Sequence, residues 1–216
     1  MKTLFLMFYA IFYFTNMMAQ EIDTTFFSPK YYHMKSVFEL LPDQKDEIVF
    51  LGNSITEQGR WRELFNKPNV INRGIGGDRT DGILYRLEEV TASKPKKIFL
   101  LIGTNDLGHG KSPSYITAKI HQIIRRIKSE SSGTLIFLQS ILPTYHREER
   151  PNQSIKEIND QLKRISTEEN IVFIDLFSSF IDESGTLDKV YSLDGLHLNG
   201  LGYLKWKELI ENYVNE

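Results

Sequence analysis

Apolar residues in the body of this chain gather into short unbroken runs instead of alternating with polar ones. Ile48-Val49-Phe50-Leu51 is closed by Gly52, and Val70-Ile71-Asn72 by a glycine cluster. Ile98-Phe99-Leu100-Leu101-Ile102 is closed by Gly103, Leu135-Ile136-Phe137-Leu138 by Gln139-Ser140, and Ile171-Val172-Phe173-Ile174 by Asp175. A run without alternation is buried on both faces, which is the mark of a parallel strand covered by helices on each side. Between the runs the period changes. Ser112-Pro113 supplies a cap and a first-turn proline, and Ile116, Ile120, Ile123, Ile124 and Ile127 follow on one helical face. Ile155, Ile158, Leu162 and Ile165 mark another helix, and Leu204, Leu209, Ile210 and Tyr213 the last. Strand–helix alternation of this kind predicts an α/β protein: a three-layer α/β/α sandwich with a central five-stranded parallel sheet and right-handed crossovers.

No internal repeat, low-complexity tract or Pro/Gly/Ser linker interrupts the pattern, so residues 46–216 read as one domain. Residues 20–45 form a lead-in, in which Tyr31, Met34, Phe38 and Leu41 predict a packed helix ended by Pro42. Residues 1–19 differ from the rest. Lys2 precedes the apolar stretch from Leu4 to Phe14, and the small residue Ala19 follows Met17-Met18. This is the layout of a secretory signal peptide, with cleavage expected after Ala19 and a periplasmic or secreted mature chain; an uncleaved N-terminal anchor is the alternative. The apolar stretch is short against the roughly 20 residues of a membrane span, so no stable membrane insertion is expected after cleavage.

Composition narrows the chemistry. With 216 residues, 41% of them hydrophobic, the chain is long enough to be held by its core alone. A net charge of -2 gives no reason to expect nucleic acid as a partner. The absence of cysteine excludes disulfides, thiol nucleophiles, thiolate metal sites and lipid attachment at a cysteine. The sequence leaves the oligomeric state open.

Polar punctuation stands at the strand ends. Gly52-Asn53-Ser54-Ile55 follows the first run, Asn72-Arg73-Gly74-Ile75-Gly76-Gly77-Asp78 the second, and Gly103-Thr104-Asn105-Asp106 the third. Asp194-Gly195-Leu196-His197 precedes the last helix. In open parallel sheets binding sites form at the carboxyl ends of strands, so the fold gathers these segments along one edge. Serine catalysis needs a hydroxyl, an imidazole to take its proton and a carboxylate to orient the imidazole. Ser54, His197 and Asp194 are the candidates. Candidate oxyanion donors are the backbone N–H groups of Ser54 and Gly77 and the side-chain amide of Asn105.

These blocks, together with Trp61-Arg62-Glu63-Leu64-Phe65 and Leu84-Tyr85-Arg86-Leu87, resemble the SGNH hydrolases, also called the GDSL lipase/esterase family. The likeness lies in the branch of platelet-activating-factor acetylhydrolase catalytic subunits and bacterial acetylesterases, and it runs from about Ile48 to the C-terminal helix. The resemblance implies a flavodoxin-like fold, no metal or organic cofactor, Ser54 as nucleophile, Asp194 and His197 as acid and base, and Gly77 and Asn105 in the oxyanion hole. The family usually carries aspartate before the serine, where this chain has Asn53. Asparagine keeps the shape and loses the charge, so a local change of hydrogen bonding is expected rather than loss of activity.

Candidate substrate contacts are Ile55, Thr104 and Leu196, flanking the catalytic residues as walls of a short acyl pocket, with Arg79, His109 and Tyr145 near the cleft. Arg79 is read either as a contact for a charged substrate or as a partner of Asp78. Trp61 and Phe65 are read as core before substrate platform, and His121 as a surface residue. Asp194 and His197 form no metal pair, because no further histidine stands at ligand spacing. Gly74-Ile75-Gly76-Gly77 lacks the Gly-x-Gly-x-x-Gly spacing of a nucleotide loop. The expected activity is therefore hydrolysis of short-chain, acetyl-type esters on a small molecule or glycan, with carbohydrate O-acetyl groups foremost. A lysophospholipase or thioesterase, or a glycan-binding module without turnover, remain as alternatives.

Overall fold

A computed structural model of the chain describes residues 22–216. The signal-peptide expectation for residues 1–19 falls outside them. Each of the apolar runs forms a strand: β1 (Ile48–Gly52), β2 (Val70–Gly74), β3 (Lys97–Leu101), β4 (Leu135–Gln139) and β5 (Val172–Ile174). They make one parallel sheet in the order β2-β1-β3-β4-β5. The helices are α1 (Pro29–Leu40), α2 (Ser54–Glu57), α3 (Trp61–Phe65), α4 (Thr80–Thr91), α5 (Thr104–Gly108), α6 (Pro113–Glu130), α7 (Asn152–Glu168), α8 (Phe177–Phe180) and α9 (Gly200–Asn215). No helix of the described residues is long and apolar enough to cross a membrane.

Side chains alternate across each strand, so the sheet divides the interior in two. Val49, Leu51, Ile98, Leu100, Ile136 and Leu138 face a core closed by α4, α6 and α7. Ile48, Phe50, Phe99, Leu101 and Phe137 face one closed by α3, α8 and α9. This second core is aromatic. The register sets Phe50 opposite Phe99 and Phe99 opposite Phe137, and the rings stack at centroid separations of 4.9 and 4.6 Å. Trp61 extends the stack onto Phe50 at 4.2 Å, and its N–H donates to the Thr56 carbonyl at 2.9 Å. Trp61 and Phe65 are therefore core residues, each large ring contributing the hydrophobic gain of a side chain removed from water.

Two features differ from the pattern read in the sequence. Helix α1 begins at Pro29, earlier than the apolar spacing indicates, because the Ser28 side chain caps it by accepting the Tyr31 N–H at 3.2 Å. Helix α4 is a full element that its local sequence does not announce. Its N-cap position, Arg79, makes no side-chain cap bond. The cap comes from Asp106, whose carboxylate accepts the Thr80 N–H at 3.1 Å and the Thr80 hydroxyl at 2.6 Å.

Candidate active site

The strand order reverses at β1, with β2 added on one side and β3 on the other, and the crevice between β1 and β3 at such a switch point is the usual ligand site of an open α/β sheet. The register sets the strand ends level, with Gly52 opposite both Gly74 and Leu101. The segments that leave these ends carry Ser54, Gly77 and Asn105 to one edge.

Ser54 opens α2. The preceding Asn53 caps this turn, its side-chain oxygen accepting the Ile55 N–H at 3.0 Å. The Asn53 amide nitrogen is buried with no partner among the described residues, so the oxygen performs the capping and the nitrogen is the group a carboxylate would not have. Ser54 Oγ lies 3.0 Å from His197 Nε2, across 143 residues of sequence. His197 Nδ1 lies 2.7 Å from Asp194 Oδ2.

The Asp-x-x-His spacing lets one carboxylate do two jobs. Oδ1 accepts the backbone N–H groups of Leu196 and His197 at 2.9 and 2.8 Å, while Oδ2 faces the ring. Partial burial by itself raises the Asp194 carboxyl. The bonds from the His197 ring and from these two N–H groups outweigh it and hold the acid well below the usual carboxylate range. An ionised carboxylate accepts and does not donate, so Nδ1 carries the ring proton and Nε2 presents its lone pair to the serine. Gly195 makes this turn possible: its φ is +78°, and a Cβ there would stand 2.0 Å from the Tyr145 carbonyl oxygen.

Ile75-Gly76-Gly77-Asp78 is a turn closed by the Asp78 N–H donating to the Ile75 carbonyl at 3.1 Å. Gly77, at φ +82°, takes its third position, where left-handed geometry favours glycine. Asn105 joins this turn by donating from Nδ2 to the Asp78 carbonyl at 2.9 Å. No acceptor among the described residues bonds the backbone N–H of Ser54 or of Gly77.

The remaining candidates divide. Leu196 and Tyr145 are half-buried against the aromatic core. Tyr145 reaches the acid loop through its backbone N–H, which donates to the Gly195 carbonyl at 2.9 Å. His109 is exposed, with its ring Nδ1 2.7 Å from the Asn105 carbonyl oxygen. Ile55 and Thr104 are each only 2% exposed. Where the sequence suggested walls of a short acyl pocket, Ile55 packs into the aromatic core, and its carbonyl accepts the Tyr203 hydroxyl at 2.7 Å. Arg79 does not pair with Asp78 through its side chain either; its guanidinium sits 4.1 Å from the Phe26 ring centroid. His121, expected on the surface, is partly buried, its Nε2 2.6 Å from Glu169.

The charge partner of Asp78 is Arg86, at 3.0 Å, with both side chains fully buried. Arg86 also donates to the carbonyls of Gly52 and Arg73 at 3.2 and 2.8 Å, binding the ends of β1 and β2 beneath the site. Burial pushes the Asp78 carboxyl up to about 6 against the pull of Arg86. Four residues at the site have roles that no sequence motif marks: Arg86, Asp106, Arg147 and Arg150. Arg147 donates to the Asp194 carbonyl at 2.8 Å, and Arg150 to the Thr104 carbonyl at 3.1 Å. Their partners lie tens of residues away, and no local motif marks such contacts.

Comparison with known proteins agrees with this geometry. Residues 50–205 match the model of the GDSL-like Lipase/Acylhydrolase family. The chain is 30% identical over 171 residues to the platelet-activating factor acetylhydrolase IB subunit alpha1 of Homo sapiens, covering 74% of this chain and 72% of that one. It is 32% identical over 174 residues to the alpha2 subunit of Rattus norvegicus, covering 76% and 73%. Among solved structures, a platelet activating factor protein from Streptococcus pneumonia superposes with a TM-score of 0.78 at 30% identity, over 86% of this chain and 92% of that one. A GDSL-like lipase from Bacteroides thetaiotaomicron shares the fold, with a TM-score of 0.75 at 24% identity over 86% and 97%. The chain belongs to the GDSL-like lipase/acylhydrolase family, and acyl-ester hydrolysis is the class of activity that this membership supports.

Proposed function

We propose that this protein is a secreted serine esterase that removes short acyl groups, acetyl foremost, from carbohydrate esters. The observation that carries the reading is the 3.0 Å approach of Ser54 Oγ to His197 Nε2, on a ring already held by Asp194. Ser54 Oγ attacks the ester carbonyl carbon as its proton passes to Nε2. The carbonyl oxygen takes the negative charge, and the N–H groups of Ser54 and Gly77 and the second amide hydrogen of Asn105 receive it. His197 then gives the proton to the leaving alcohol as the C–O bond breaks. Water, deprotonated by the same nitrogen, attacks the acyl-enzyme and releases the acid and the free serine.

The acetyl preference draws on relatives named as acetylhydrolases. The carbohydrate alcohol rests on the export pattern of residues 1–19 and on an open acid–base loop, where the Asp194 side chain is 44% exposed and can sit beside a bulky polar leaving group. The test compares p-nitrophenyl acetate with p-nitrophenyl decanoate, then a panel of acetylated sugars. Acetate is expected to turn over faster; faster decanoate turnover overturns the short-acyl assignment. A fluorophosphonate probe is expected to label Ser54, and absence of label beside a reactive control esterase favours a binding module. Export predicts a mature chain that starts at Gln20, read by N-terminal sequencing.

A further inference from the structure

We infer that Arg150 is the positioning residue of the oxyanion amide, setting which way round the Asn105 side chain stands; the inference rests on the esterase reading above. The two ends of an asparagine side chain are nearly equal in size, so its orientation is decided by what each end meets. Asn105 meets an acceptor at one end and a donor at the other. Its Nδ2 donates to the Asp78 carbonyl at 2.9 Å, and its Oδ1 faces Arg150 Nη2 at 3.5 Å. A carbonyl cannot donate and a guanidinium cannot accept. A flipped amide would set oxygen against oxygen and N–H against N–H, and would turn a lone pair, instead of a hydrogen, toward the developing oxyanion.

Arg150 is itself held for this task. Its Nε donates to the Thr104 carbonyl at 3.1 Å, and Glu149 pairs with its Nη1. The guanidinium lies flat against Gly108, where a Cβ would stand 2.4 Å from its central carbon, so the absence of a side chain at 108 makes the room. The Arg150 side chain is only 11% exposed, which strengthens its charge–dipole contact with the amide relative to one in open water. The same connection between β4 and α7 also grips the other half of the site: the Tyr145 N–H holds Gly195, and Arg147 holds the Asp194 carbonyl. One loop thus fixes the oxyanion side through Arg150 and the acid side through Arg147.

The test is a double-mutant cycle on p-nitrophenyl acetate, with kcat and KM measured for wild type, Asn105→Ala, Arg150→Met and the double variant, and folding followed by thermal unfolding. Asn105→Ala is expected to lower kcat about 100-fold, the usual effect of losing one oxyanion donor. Arg150→Met is expected to lower kcat about tenfold at unchanged KM, and to add nothing in the Asn105→Ala background, because its target is gone. Gly108→Ala displaces the guanidinium without altering residue 150 and is expected to lower kcat in the same way; it decides the matter if Arg150→Met does not fold. Independent, multiplying effects in the double variant, or full kcat in Gly108→Ala, overturn the role of Arg150. An Asn105→Ala variant with wild-type turnover removes that amide from the oxyanion hole and overturns this inference alone, whereas a wild type that cleaves no ester overturns the esterase reading and this inference with it.

Discussion

Asp106 caps helix α4 at Thr80 from across the active-site edge: its carboxylate accepts both the backbone N–H and the hydroxyl of that threonine. The two residues are 26 positions apart, and Asp106 immediately follows Asn105, so the helix start and the oxyanion segment are one unit.

Asp106→Ala should therefore destabilise the fold and the site together. It leaves two buried donors of Thr80 without an acceptor, a loss of about 1–3 kcal/mol. Chemical denaturation should show a lowered midpoint with unchanged slope, and kcat should fall at permissive temperature because Asn105 loses its support.

The same carboxylate gives stability a pH dependence. Burial, opposed by the bonds from Thr80, pushes Asp106 up to about 6. The unfolded chain releases an aspartate proton at about pH 4. Between these values the folded state binds more protons, so this group's contribution is complete below about pH 4 and is lost as the pH rises through about 6. Across that window the stability of wild type should fall with rising pH more steeply than that of Asp106→Asn, which has no carboxyl proton to release. A wild-type slope equal to that of the variant would contradict the assignment.

Ser54→Ala should abolish turnover while leaving the melting temperature nearly unchanged, because the side chain is only partly buried and its recorded contact is with His197. Asp194→Asn should keep the shape of the turn but lose the ionised acceptor that selects the ring tautomer. A fall in kcat of about 10,000-fold is the precedent for such a change in serine hydrolases, and stopped-flow acylation would place the loss in the chemical step.

Gly77→Ala separates backbone strain from crowding. Nothing lies within 4 Å of a Cβ built there, but φ is +82°. An L-residue in that region costs about 1–2 kcal/mol, so a modest drop in melting temperature is expected. Relaxation of the turn to negative φ would swing the Gly77 N–H and lower kcat beyond the change in folded fraction. Unchanged kcat beside a lowered melting temperature would show that the turn keeps its left-handed φ and bears the strain.

The strands, the face of α6 and the position of the site along the strand ends were all legible in the sequence. Those features rest on local rules. Burial on both faces removes alternation from a parallel strand, as in Ile98 to Ile102, and a Ser-Pro pair opens a helix whichever protein holds it. The Asp194–His197 pair was legible for the same reason, since four consecutive residues contain the whole turn. What the sequence left undecided are the interactions whose partners meet only after folding. Helix α4 takes its cap from Asp106, Arg86 closes the carbonyls of two strands, and Ile55 beside the serine points into the aromatic core instead of the cleft. The 3.0 Å meeting of Ser54 with His197 and the hold of Arg150 on Asn105 belong to the same class. Residue type and spacing carry propensity and chemistry, but a buried donor takes whatever acceptor the packed layers bring to it, and only the tertiary structure settles which one that is.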